Sequence, residues 1–442
     1  MSSYKKSLIL CSALLFLSGC SSKTVDLENK QPEIKKIVEI KTKNFDLENQ
    51  YIMLALEFEN QRLYYDAKDL YFVLFEKTNN YEYLVKHLAI ATQLKDYEIV
   101  EKNASKYYKN NIKQEEIILR LYTFALFKLG NNNDNVILKG EKLVKEFPND
   151  VNLELLGTIY LQQQNYSKAY ELFNNAFNLN KSVNTFLNLT NIQYFNLLQK
   201  EESIKRIEEY IKINGYDFNL SMQLISFYEK EKKTEKIIPL LKDMYQFYKK
   251  SNEEALSLGK TKILLVKYLA KDNVGIAIDF LEQNNEEDEI LLNLYKITNQ
   301  PLKAYDLLDR LYKKSNNLDF LAQQAIIQFE MAEDKSKVLN DVIFKFDKVL
   351  LVTNNHIYEN YLAYILIDFN INVKRGVSLV KKALKEEPNN LAYIDTLAWG
   401  EYKIKNCQEA NKQMKRVVDE IGLNDEEIKL HWEKIKECKK WF

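Results

Sequence analysis

Three histidines, four cysteines and 63 carboxylates are the groups through which this 442-residue chain could do chemistry. His87, His356 and His431 lie far apart, and none has a cysteine or second histidine at metal-ligand spacing. No H-E-x-x-H, G-x-S-x-G or phosphate-loop pattern occurs. Each histidine is therefore expected to be a packing or helix-surface residue. The acids at Glu286, Glu287, Asp288 and Glu289, and at Glu426 and Glu427, are expected at helix starts, where the helix dipole favours negative charge. No catalytic set, metal or cofactor is expected, so the chain reads as a binding protein rather than an enzyme. Asp395, Trp399 and Tyr402 recur at i, i+4 and i+7 and would share one helix face, with Ile394, Leu397 and Ile404 opposite. If the apolar face packs on its own neighbours, Trp399 and Tyr402 look outward, and these are the residue types that most often anchor interfaces. A similar face carries Asn188, Ile192, Phe195 and Asn196, whose amides could grip a partner's backbone.

The elements that hold these faces must be helices. Hydrophobic residues make up 46% of the chain, too many for disorder, and 10 Gly with 5 Pro are too few for a strand-and-turn fold. An all-α body is predicted. Its 63 basic and 63 acidic groups balance, which removes the electrostatic reason to expect nucleic acid.

Residues 1–19 are a different kind of segment. Lys5 and Lys6 precede an apolar run of about eleven residues, Ser7 to Leu17. A membrane-spanning helix needs roughly 20 residues, so the run is too short for a permanent anchor. Leu17-Ser18-Gly19-Cys20 resembles the lipobox of bacterial lipoproteins, which implies cleavage before Cys20 and acylation of its thiol and new amine. Removal of Lys5 and Lys6 leaves a formal charge of −2. Residues 20–46 are polar and charged, and read as a flexible tether with an r.m.s. reach on the order of 25–30 Å.

The body repeats. Leu156-Gly157-x₂-Tyr160 is followed by Ala169-x₃-Phe173-x₂-Ala176, and Tyr194 and Tyr228 fall 34 and 68 residues beyond Tyr160. Leu291-Leu292-x₂-Tyr295 with Ala304 and Leu308 forms another unit, Pro301 opening its second helix. Leu54-Ala55-x₂-Phe58 with Ala67 and Tyr71 forms a first one. Residues 81–114 and 115–149 match weakly, 319–355 is too long to assign, and Leu264-Leu265-x₂-Tyr268 lies six residues late, which predicts an insertion around Ser251 to Leu256. Near the end stand Asn360-Tyr361-Leu362-Ala363-Tyr364 and Tyr393-Ile394-Asp395-Thr396-Leu397-Ala398-Trp399. This spacing resembles the tetratricopeptide repeat, a pair of antiparallel helices. Gly157 and Ala169 are small where the helices cross, and Tyr160 and Phe173 fill the space beside them.

The resemblance to bacterial tetratricopeptide lipoproteins implies a right-handed α-solenoid over residues 47–424, with ten to eleven helix pairs and a capping helix at 425–442. It implies envelope proteins or peptide segments as partners in a concave groove, the membrane as a partner through the lipid, and no small-molecule substrate. Relatives of that kind serve pilus or secretin assembly, outer-membrane protein insertion, or flagellar motor and stator assembly. An adaptor regulating a cell-wall enzyme is the alternative, and an RNA-binding helical repeat is disfavoured by export and neutral charge. Ser21, not Asp, after the lipidated residue favours the outer over the inner membrane by the enteric sorting rule. Export also implies an oxidising compartment, so Cys407 and Cys438 are expected to pair. Glu101-x-Asn103-x-Ser105 and Asp217-x-Asn219-x-Ser221 resemble extended bacterial sequons, making Asn103 and Asn219 candidate glycan acceptors.

Overall fold

The structure, a computed structural model, describes residues 46–130, 133–251 and 255–438. The signal segment and Cys20 lie outside those residues, as does the tether up to Phe45. The chain divides into two compact units, residues 1–180 and 181–442. Among the described residues every regular element is helical.

The first unit contains α1 (Glu48–Asn60), α2 (Tyr64–Thr78), α3 (Tyr81–Gln93), α4 (Tyr97–Tyr107), α5 (Glu115–Leu129), α6 (Asn133–Glu146), α7 (Asp150–Gln162) and α8 (Tyr166–Asn180). The second contains α9 (Val183–Asn191), α10 (Lys200–Asn214), α11 (Phe218–Lys230), α12 (Ile237–Lys250), α13 (Ala255–Asp272), α14 (Val274–Gln283), α15 (Glu289–Ile297) and α16 (Pro301–Ser315). It continues through α17 (Leu318–Met331), α18 (Leu339–Leu350), α19 (His356–Asp368), α20 (Val373–Glu386), α21 (Leu391–Lys403), α22 (Cys407–Ile421) and α23 (Glu426–Cys438). Within each unit an odd-numbered helix packs on the even one after it, and that helix packs on the next odd one, except that α11 and α12 are joined mainly through a 3₁₀ turn at Thr234–Lys236. Odd helices also touch along their own layer, as α3 does α5 and α19 does α21. The result is the two-layer stacking of tetratricopeptide helix pairs, eleven of them plus the closing α23 among the described residues.

Small residues explain the close crossings. Ala55 and Ala67 share one core cluster, and Ala55, Ala67 and Ala169 are fully buried. A Cβ on Gly157 would come within 3.0 Å of the Phe173 ring, and one on Gly376 within 2.6 Å of Ile367. Tyr160, Tyr194, Tyr228 and Tyr295 fill the space beside the crossings and are buried.

The turns inside the pairs do not use glycine as a rule. Arg62, Lys95, Gly130 and Gln164 in the first unit adopt positive φ, and so do Leu198, Lys232, Asn299, Asn370 and Lys405 in the second. The next amide then reaches back past the helix end, as Leu63 N–H does to Phe58 O (2.8 Å) and Lys233 N–H to Tyr228 O (2.8 Å). That bond closes a Schellman turn and satisfies carbonyls the helix leaves open. Helix starts are capped by Asn80, Asn149, Asp217, Asn273, Asp288, Asn317, Asn355, Asn372 and Asn390, whose side chains accept backbone amides.

Three irregularities explain the poorly matched stretches. α13 is 18 residues long and absorbs the late register of Tyr268. In the α17–α18 pair a short 3₁₀ turn at Lys335–Lys337 lengthens the connection. In 81–149 the pairs α3–α4 and α5–α6 are present, with Ala91 and Ala104, then Ala125 and Gly140, as their buried small residues. The acids at 286–289 are not one cap. Only Asp288 caps α15, whereas Glu286 bonds Tyr245 and Lys262 and Glu287 pairs with Arg310. At α23 the cap is Asp425, which accepts the amides of Glu427 and Ile428.

Candidate functional site

α21 places Asp395, Trp399 and Tyr402 on one face, as their spacing requires, but that face is covered. Trp399 is only 9% exposed. Its ring lies between Tyr402 (centroids 5.0 Å apart) and the imidazole of His431 from α23 (4.2 Å), both nearly parallel to it. The indole Nε1 donates to Asp368 Oδ1 of α19 at 3.2 Å. His431 Nδ1 lies 3.0 Å from Asp395 Oδ1, and its Nε2 lies 4.0 Å from Glu427. Ile394 and Leu397 are buried on the other side as expected, while Ile404 is exposed at the helix end. The expectation of an open aromatic face is thus corrected: the odd layer continues one helix further, and α23 occupies the place a partner would take.

The seat of α23 is rich in acids. Asp395 and Glu427 face the His431 imidazole, and Asp368 accepts from the neighbouring Trp399 indole. Burial pushes the Glu427 carboxyl above its usual range, and the charges of Asp395 and Asp368 add to the effect against the opposing His431. Burial also raises the Tyr364 phenol, helped by the nearby Glu427 charge. Cys407 opens α22 and Cys438 ends α23, and the two are joined with Cα atoms 5.6 Å apart, within disulfide range.

The second face lies at the end of α9. There Ile192–Asn196 form a single π turn, with Leu197 N–H bonded to Ile192 O at 3.0 Å. The widened turn lets three consecutive residues, Ile192, Gln193 and Tyr194, all be buried. Ile192 is therefore a core residue, which corrects its assignment to the open face. Phe195, in contrast, is 49% exposed. Tyr194 stacks flat on Phe227 at 3.8 Å, and Phe195 sets its edge against both rings, at 4.8 and 5.7 Å. The Lys230 ammonium lies 5.7 Å from its centroid, and Asn188 and Asn196 are half-buried. Phe227 and Lys230 were missed by sequence reasoning, and Tyr194 was read only as a repeat position, because a π turn leaves no mark in spacing.

Hydroxyl anchoring of the repeat tyrosines was also missed. Tyr228 Oη donates to Glu208 at 2.5 Å, Tyr295 to Glu282 at 2.7 Å and Tyr194 to Glu231 at 2.7 Å. Lys236, Lys303 and Lys200 then bond the same three carboxylates. Lysines eight residues after Tyr160, Tyr228 and Tyr295 were the available signal. An open cleft of about 290 Å³ beside Tyr295, Gln300, Gln323 and Glu330 lies between α15, α16 and α17.

His87 is buried, between Lys68 O (2.9 Å) and the amide of Asn103 (2.8 Å). Burial holds its pKa below the usual value, with the Lys68 cation adding to that. Asn103 is thus engaged in the middle of α4, whereas Asn219 is exposed in the first turn of α11. Among the described residues no His, Cys, Asp and Glu cluster could hold a metal, and no helix is long and apolar enough to cross a membrane.

No protein-family model and no curated protein sequence matches the chain. Among solved structures, a tetratricopeptide repeat protein from Parabacteroides merdae aligns at 17% identity over 57% of this chain and 98% of its own, with a TM-score of 0.37. The Naa15/Naa10 complex bound to HypK-THB aligns at 13% identity over 88% and 66%, with a TM-score of 0.33. The Cut9–Hcn1 assembly of the APC/C aligns at 11% identity over 89% and 97%, also at 0.33. The repeat assignment rests on this chain's own helix pairs, crossings and turns.

Proposed function

We propose that the chain is a lipid-anchored, periplasm-facing scaffold or chaperone that binds protein partners during assembly of an envelope machine, through the odd-layer face around Phe195. The observation that carries this reading is the exposed Phe195 ring, set edge-on against the Tyr194–Phe227 stack with the Lys230 ammonium beside it. A pre-ordered aromatic loses little entropy on docking, and the neighbouring ammonium supplies orientation. Attachment to the envelope is supported by the lipobox residues Leu17 to Cys20.

The test is crosslinking capture from envelope extracts with wild type and Phe195→Ala, their folds compared by circular dichroism. Loss of an anchor costs on the order of 2 kcal/mol, so affinity should fall about thirtyfold for the partners that dock here. A folded Phe195→Ala protein that captures the same partners with equal affinity would remove this face from consideration.

A further inference from the structure

We propose that the α19–α21 face is a helix-docking surface kept filled by the chain's own α23, and that the Cys407–Cys438 disulfide is the latch that holds α23 there. Three observations converge. First, the face carries groups suited to holding a helix: a Trp ring with its Nε1 engaged, two carboxylates and a tyrosine, all on odd-layer helices. Second, α23 fills it with a short stripe. His431, Ile435 and Cys438 are buried, Ile428 and Trp432 pack partly buried on the α21–α22 core, and Leu430 is 50% exposed. Its His431 lies 3.0 Å from Asp395, while its Glu427 faces like charges at Asp395 and Asp368. Third, the covalent link joins the last residue of α23 to the first of α22. A free α23 could swing about Gly422, which has positive φ at the end of α22. The latched one cannot.

Opening is a two-electron step. A dithiol reductant attacks one sulfur to form a mixed disulfide, and its second thiol displaces the remaining cysteine. The reductant leaves as a disulfide and both protons end on Cys407 and Cys438. Both cysteines are 7% exposed, so reduction of the folded protein should be slow. The latch is independent of the Phe195 surface, and either can fail without the other.

The experiment uses the full mature chain. Thiol titration under denaturing, non-reducing conditions should find no reactive group at Cys407 or Cys438. Hydrogen exchange is then followed with and without dithiol, and in a Cys407→Ser/Cys438→Ser variant. Amides of 426–438 should exchange at least about tenfold faster once the link is gone, while α15 to α18 stay unchanged. In a Trp432→Phe/Trp441→Phe background Trp399 is the sole reporter, and its quenching by acrylamide should rise severalfold on reduction. Two titratable thiols in the exported protein would overturn the proposal, as would unchanged exchange and quenching after complete reduction.

Discussion

Trp399 belongs to the core of the second unit, and its substitution should be read as a stability change. Its ring stacks on His431 and Tyr402, and its Nε1 donates to Asp368. Trp399→Ala should cost about 3–5 kcal/mol, because it leaves a cavity and an unpaired Asp368 in a half-buried site. Urea unfolding monitored by circular dichroism checks this, and a loss below about 1 kcal/mol would contradict the packing described. The sequence made the shared face of Asp395, Trp399 and Tyr402 legible, since helical spacing alone decides it. Covering of that face was not legible, because the register of α23 against α21 depends on the turn at Gly422 to Asp425 and on contacts 36 residues apart, such as His431 with Asp395.

At the scale of elements, neighbouring helices are tied by tyrosine, acid and lysine together. Hydrogen bonds from Lys303 and Tyr295 hold Glu282 below the usual carboxylate range, against a smaller effect of burial. A carboxyl whose pKa is depressed by folding contributes stability above its unfolded pKa, near 4.3, and loses it as the pH falls through the folded value. Glu282→Gln should therefore lower stability modestly at pH 6, by a few tenths of a kcal/mol given its solvent access, and should reduce the loss between pH 5 and 3. Urea midpoints at pH 6 and pH 3 measure both. Helix pairs with Leu-x₂-Tyr and a following alanine were legible because close crossings demand small residues at fixed spacing. The pairs at 81–149 and 318–350 were not, since other small residues and a 3₁₀ turn meet the same steric need by another route. Left-handed turn residues such as Lys95 and Lys232 were equally hidden, because lysine does not announce positive φ.

At the scale of the molecule, composition alone sufficed for an all-α fold, and a 34-residue period sufficed for its repeat. Attachment is tested separately: Cys20→Ala should abolish palmitate labelling and leave uncleaved precursor, and unchanged labelling with normal maturation would refute lipidation. The covalent link between α22 and α23 bears on how the protein answers tension. Residues 407 and 438 are 31 positions apart, so the link withholds roughly 100 Å of contour length from any pull along the backbone. Under load the oxidised chain can pay out its earlier helix pairs but keeps this last loop short, and a partner gripping the end of the chain would feel a stiffer, shorter lead than the reduced protein offers.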